Sequence, residues 1–73
     1  MSVLIMARES VGPLKRLTKI DRLAMPSVGE HVVVGDKLYK VERVINWATP
    51  AFIYNRYRVY VGGVDAVLEV LGG

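Results

Sequence analysis

The 73-residue chain contains no cysteine, which excludes both a disulfide framework and a thiolate zinc centre. Histidine occurs once, as His31, so a metal site would need that imidazole plus carboxylates from scattered positions. No metal and no cofactor is expected. Long apolar runs are missing too. The longest, Val3-Leu4-Ile5-Met6-Ala7, falls far short of the roughly 18 residues that span a bilayer. No basic segment precedes it, as a secretory signal would require, and the cytoplasm is the expected location. The glycines fit neither GxGxxG nor GxxxxGK(S/T). None of Ser2, Ser10 and Ser27 stands in a nucleophile motif with His31. The chain reads as non-enzymatic.

What is present is apolar: 52% of the residues are hydrophobic and the mean hydropathy is +0.30. That is too much for a disordered chain, and more than one small core can bury. The surplus predicts a homo-oligomer, in its simplest form a two-fold dimer. No repeat, low-complexity tract or linker interrupts the sequence, so residues 1–73 form one domain. The net charge of +3 is unevenly placed. Residues 1–25 carry Arg8, Lys15, Arg16, Lys19 and Arg22 against Glu9 and Asp21, whereas cations and carboxylates cancel over residues 26–73. A local basic field of this kind suits phosphate or an acidic partner.

The segments read mainly as strands. Residues 3–9 form a short apolar strand ended by Ser10 and the Gly12-Pro13 turn signal. Residues 14–24 are open between a helix, with Leu14, Leu17, Ile20 and Leu23 on one broad side, and a twisted hairpin strand. Residues 25–29 are a turn. His31-Val32-Val33-Val34 and the strand from Leu38 flank Gly35-Asp36, where glycine in the first central position suits a type II′ hairpin. Tyr39 and Val41 share a parity that Val44 lacks, which predicts a bulge near Glu42-Arg43. Residues 51–61 are expected as the longest strand. Residues 64–71 fit a helical stripe (Val64, Val67, Leu68, Leu71) slightly better than a valine-rich strand. The expected core is Val3, Ile5, Val32, Val34, Tyr39, Val41, Ile53, Val59 and Val61.

The candidate binding residues follow from the 51–61 strand. Its parity places Ile53, Tyr57, Val59 and Val61 on a core side and Phe52, Tyr54, Arg56, Arg58 and Tyr60 on the other. Aromatic rings interleaved with arginine can stack on bases and meet phosphates of a single-stranded nucleic acid. The same residue types serve protein interfaces. Trp47, at a strand end before a Thr-Pro turn, is a further candidate platform. Lys15, Arg16, Lys19 and Arg22 supply the basic remainder. The terminal Leu71-Gly72-Gly73 is shared with ubiquitin-like and sulfur-carrier tails, but nothing else in the chain matches those folds.

Residues 26–44 present a proline, a G-(D/E)-x-V step at Gly29-Glu30-His31-Val32, a tight turn, and Y-x-V-x-x-V at Tyr39 to Val44. This pattern resembles consecutive strands of SH3-like small barrels in bacterial and phage-encoded proteins, and with the next strand it covers residues 26–61. The resemblance implies a small, partly open barrel of about five strands and a mobile-element context, in which proteins of this size occlude a host or structural partner. Peptide-binding SH3 domains carry an aromatic-acidic loop ahead of this region that residues 14–25 lack, so PxxP recognition is not implied. The expected function is a protein-interaction or assembly module, with single-stranded nucleic-acid binding as the alternative.

Overall fold

The structure is a computed structural model that describes residues 1–9, 11–21, 24–49 and 52–72, with only the backbone at Phe52. Every regular element among the described residues is a strand: β1 (Ser2–Arg8), β2 (Lys15–Asp21), β3 (His31–Val34), β4 (Lys37–Asn46), β5 (Phe52–Tyr54), β6 (Val59–Val61) and β7 (Ala66–Gly72). Five of them curl into a half-barrel sheet in the order β2-β1-β7-β4-β3, and β5 and β6 form a separate hairpin. The β1–β7 pair is parallel and the other pairs are antiparallel. Among the described residues no helix is long and apolar enough to cross a membrane.

Both segments left open to a helix are strands. In β7 the run Ala66-Val67-Leu68-Glu69-Val70 is buried throughout, because a central strand covered on both faces needs apolar residues at both parities. Its helical stripe was a by-product of that continuous run. In β2 the two parities looked mixed because the register with β1 shifts between Ile5 and Met6. Thr18 lies opposite Ile5 and Arg16 opposite Met6, so Leu17 has no partner of its own. One bulged residue inverts the alternation on either side of it.

The two faces of the sheet bury different clusters. On one, Val3, Ile5, Tyr39, Val41, Leu68 and Val70 pack with Ile20, Val32 and Val34 from the edge strands. On the other, Leu4, Met6 and Val67 are covered by Tyr57 and Val61, with Trp47, Tyr54 and Val59 around them. The excursion between β4 and β7 is therefore the lid of the second face. The expected core residues Val3, Ile5, Tyr39, Val41 and Val61 are buried, and Val32, Val34 and Val59 partly so. Ile53 is not: it is 66% exposed.

Two local features hold the sheet's far half. Gly35 adopts φ 65° while Asp36 keeps a negative φ, and Val34 pairs with Lys37 across them, as a type II′ turn requires. The expected bulge is present in β4, where the register with β7 shifts between Val41 and Arg43. At the end of β7, Gly72 is buried opposite Tyr39. A Cβ there would sit 2.5 Å from Tyr39 Cε2, so the ring occupies the space a side chain would need. Gly72 is thus a packing residue, and Gly73 lies outside the described residues.

Candidate anion-binding groove

The expected strand over residues 51–61 is interrupted. β5 ends at Tyr54, and the amides of Tyr57 and Arg58 both donate to the Tyr54 carbonyl, at 3.0 and 2.8 Å. Arg58 takes φ 56°, a left-handed conformation uncommon for a side-chain-bearing residue. The cause lies on β7. Glu69 is 4% exposed, and a buried carboxylate must be paired and hydrogen-bonded. Arg56 Nε donates to Glu69 Oε2 at 3.0 Å and Arg56 Nη2 to Oε1 at 2.9 Å. The Tyr57 hydroxyl donates to Oε2 at 2.7 Å. Adjacent residues in an extended strand point to opposite sides, so Arg56 and Tyr57 can reach one carboxylate only from a turn.

The electrostatics follow. Burial pushes the Glu69 carboxyl up, but the hydrogen bonds from Arg56 and Tyr57, with the charges of Arg56 and Arg43, outweigh it and hold Glu69 below its ordinary value. Burial, reinforced by the bond to Glu69, raises the Tyr57 hydroxyl. The bond to Glu69 raises Arg56 in the same way. Both partners therefore keep their protons, and the turn is fixed in place.

This rearranges the aromatic–arginine face. The β5–β6 pairing sets Tyr54 opposite Val59 and Ile53 opposite Tyr60. Tyr54 turns inward, with its ring 5.4 Å from Trp47 and 4.9 Å from Tyr57, both edge-on. Ile53 and Tyr60 turn outward, Tyr60 being 61% exposed. Tyr54, Arg56, Arg58 and Tyr60 do not share a strand face, and Trp47 is a packing residue beside the second cluster. The Phe52 side chain and Arg22 lie outside the described residues.

The turn nevertheless gathers four of the expected cations. A groove of about 600 Å³ runs between the start of β2 and the 55–58 turn, with Lys15 and Arg16 on one wall and Asn55, Arg56 and Arg58 on the other. Pro13, Leu14, Tyr57 and Val59 complete the lining, and among the described residues no carboxylate lines it. Lys19 is directed elsewhere, its ammonium beside Gly63. Arg8 is held by Glu42 at 2.8 Å and Lys37 by Glu9 at 2.6 Å. The chain has ten Lys and Arg against seven Asp and Glu. Four of those cations line the groove, and one of the four, Arg56, is paired with the carboxylate of Glu69. Lys15, Arg16 and Arg58 form no ion pair among the described residues, so the groove carries an excess of positive charge.

Guanidinium groups in such a setting can grip carboxylate or phosphate oxygens with paired N–H donors. Among the described residues no three His, Asp or Glu side chains come together as metal ligands would. The residue that sequence reasoning missed is Glu69. Its one signal is a single acid inside the apolar run Ala66-Val67-Leu68-Glu69-Val70, a position at which a carboxylate has to be satisfied from elsewhere. Comparison of the chain with family models, with curated proteins and with solved structures returns no match.

Proposed function

We propose that this protein is a non-enzymatic interaction module that holds an acidic segment of a protein partner in the groove between β2 and the 55–58 turn. The observation that carries the reading is the gathering of Lys15, Arg16, Arg56 and Arg58 along one groove. Glu69 fixes the Arg56 wall before any ligand arrives, which lowers the ordering cost of binding. A groove with cations on both walls accepts an extended chain carrying successive carboxylates. The cytoplasm and a bacterial or phage setting are the context we propose for it.

Protein is favoured over single-stranded nucleic acid by the placement of the rings. Sequence-tolerant nucleic-acid grooves stack bases on aromatic side chains beside the cations. Here Tyr54 packs inward and Tyr60 stands on the other side of the hairpin, while Tyr57, which does line the groove, is buried and offers no open ring face for stacking. The test is a paired titration with a fluorescent glutamate-rich peptide and an oligothymidylate of equal charge, each over a series of salt concentrations. The peptide should bind at low salt, weaken as salt screens the groove, and bind at least as tightly as the oligonucleotide. Tighter oligonucleotide binding would select the nucleic-acid alternative. Binding of neither would remove the groove as a ligand site.

A further inference from the structure

The two edges of the five-stranded sheet are built differently. β2 carries Lys15, Arg16, Lys19 and Asp21 and a bulge at Leu17. Charges and bulges of this kind prevent one sheet edge from adding to another. β3, at the other edge, is His31-Val32-Val33-Val34 and has no lysine, acid, proline or bulge within it. Among the described residues no strand pairs with its outer side.

The hydrogen-bond parity of β3 is fixed by its hairpin. Val34 and Lys37 close the two-residue turn, Val32 faces Tyr39, and the Val41 amide donates to the Glu30 carbonyl at 2.8 Å. Glu30, Val32 and Val34 therefore direct their backbone groups toward β4. The N–H and C=O of His31 and Val33 point away from it. The side chain of Val33 is 67% exposed, and that of its cross-strand neighbour Leu38 is 57% exposed. Both stand on the face that the β5–β6 hairpin covers only near the centre of the sheet.

We propose that β3 is the edge through which two copies of this chain assemble, pairing antiparallel about a two-fold axis at Val32. In that register His31 lies opposite Val33 of the second copy, and Val33 opposite its His31. All the outward amides and carbonyls of the two residues find partners, and Val33 and Leu38 of each copy form a strip with the His31 and Lys40 side chains of the other, the two Val33 residues meeting diagonally. The same strand supplies both halves of the interface, which is what a two-fold contact demands. The self-complementary register of the outward His31 and Val33 groups argues for a second copy as the occupant, and charge does not oppose it. Over residues 30–40 Glu30 and Asp36 balance Lys37 and Lys40, so two copies of a +3 protein meet here without like-charge repulsion. Contact through β2 would set the cationic grooves against each other.

Sedimentation equilibrium over a concentration series tests the proposal, with Val33→Lys as the disrupting variant and Arg16→Glu as the variant at the opposite edge. The wild-type mass should rise with concentration from 8.1 kDa toward twice that value. Val33→Lys, at an exposed position that leaves the far-ultraviolet dichroism unchanged, should weaken association at least about tenfold by bringing two ammonium groups onto the strip. Arg16→Glu should dimerise like the wild type. Amide exchange at His31 and Val33 should slow as concentration rises. A wild-type monomer at high micromolar concentration, or a Val33→Lys protein that dimerises unchanged, overturns the proposal. Neither result touches the groove reading, since the groove lies at the other edge.

Discussion

The Tyr57 hydroxyl donates to Glu69 Oε2 at 2.7 Å, and this bond joins the tip of the β5–β6 hairpin to a central strand of the sheet. Arg56, the preceding residue, meets the same carboxylate through two nitrogens. The pair decides that residues 55–58 turn, that Tyr54 faces inward, and that Arg58 stands across the groove from Arg16. A structural requirement of one buried acid thereby shapes the candidate binding surface.

Tyr57→Phe keeps the ring in the second core and removes only the donor. A hydrogen bond to a charged group contributes about 1.5–3 kcal/mol, so the variant should lose roughly that much stability. The measurement is the urea midpoint at unchanged slope. An unchanged midpoint would show that Glu69 is satisfied without the hydroxyl.

The pH dependence has a definite sign at both ends. Glu69 is held below its ordinary value when folded. Its contribution is therefore present above about pH 4.3, the unfolded value, and is lost as pH falls through the lower folded value. Tyr57 is raised when folded, so its contribution is present below about pH 10, the unfolded value, and is lost above it. Stability measured against pH should lose its acid limb in Glu69→Gln and its alkaline limb in Tyr57→Phe. Retention of both limbs in both variants would assign them to other groups.

Most of the sheet could be read from the sequence. The β-branched run Val32-Val33-Val34 and the Gly35-Asp36 turn give the β3–β4 hairpin directly, and the parity change after Val41 marks the bulge. What could not be read has three physical causes. A strand covered on both faces, such as β7, satisfies strand and helix templates together. The unpartnered Leu17 scrambles the parity of β2. The parallel pairing of β1 with β7 depends on residues more than sixty positions apart, and no local pattern encodes it. The groove was legible only as residue types. Lys15, Arg16, Arg56 and Arg58 were named from charge, but the turn that brings them together is set by Glu69, whose partners lie outside its own strand.

Two substitutions test the core. Val41 is fully buried against Val3, Leu68 and Val70, and Val41→Asp should abolish folding because the isolated charge exceeds the stability of a domain this small. Gly72→Ala places a methyl group on the Tyr39 ring and should cost about 1–3 kcal/mol by overpacking. Combining Gly72→Ala with Tyr39→Leu should recover part of that loss. A fully stable Gly72→Ala protein would mean that the ring moves freely out of the way.

The central claim is that the groove, and not the overall positive charge, receives the acidic partner. Calorimetric titration of one glutamate-rich peptide into wild type, Arg16→Glu and Lys40→Glu separates the two, because both variants change the net charge equally. Arg16 lines the groove, whereas Lys40 is exposed on β4 away from it. The account predicts at least about a tenfold loss of affinity for Arg16→Glu, from a like charge placed in the groove, and near-wild-type affinity for Lys40→Glu. Equal weakening by both variants, or no weakening by Arg16→Glu, would contradict it.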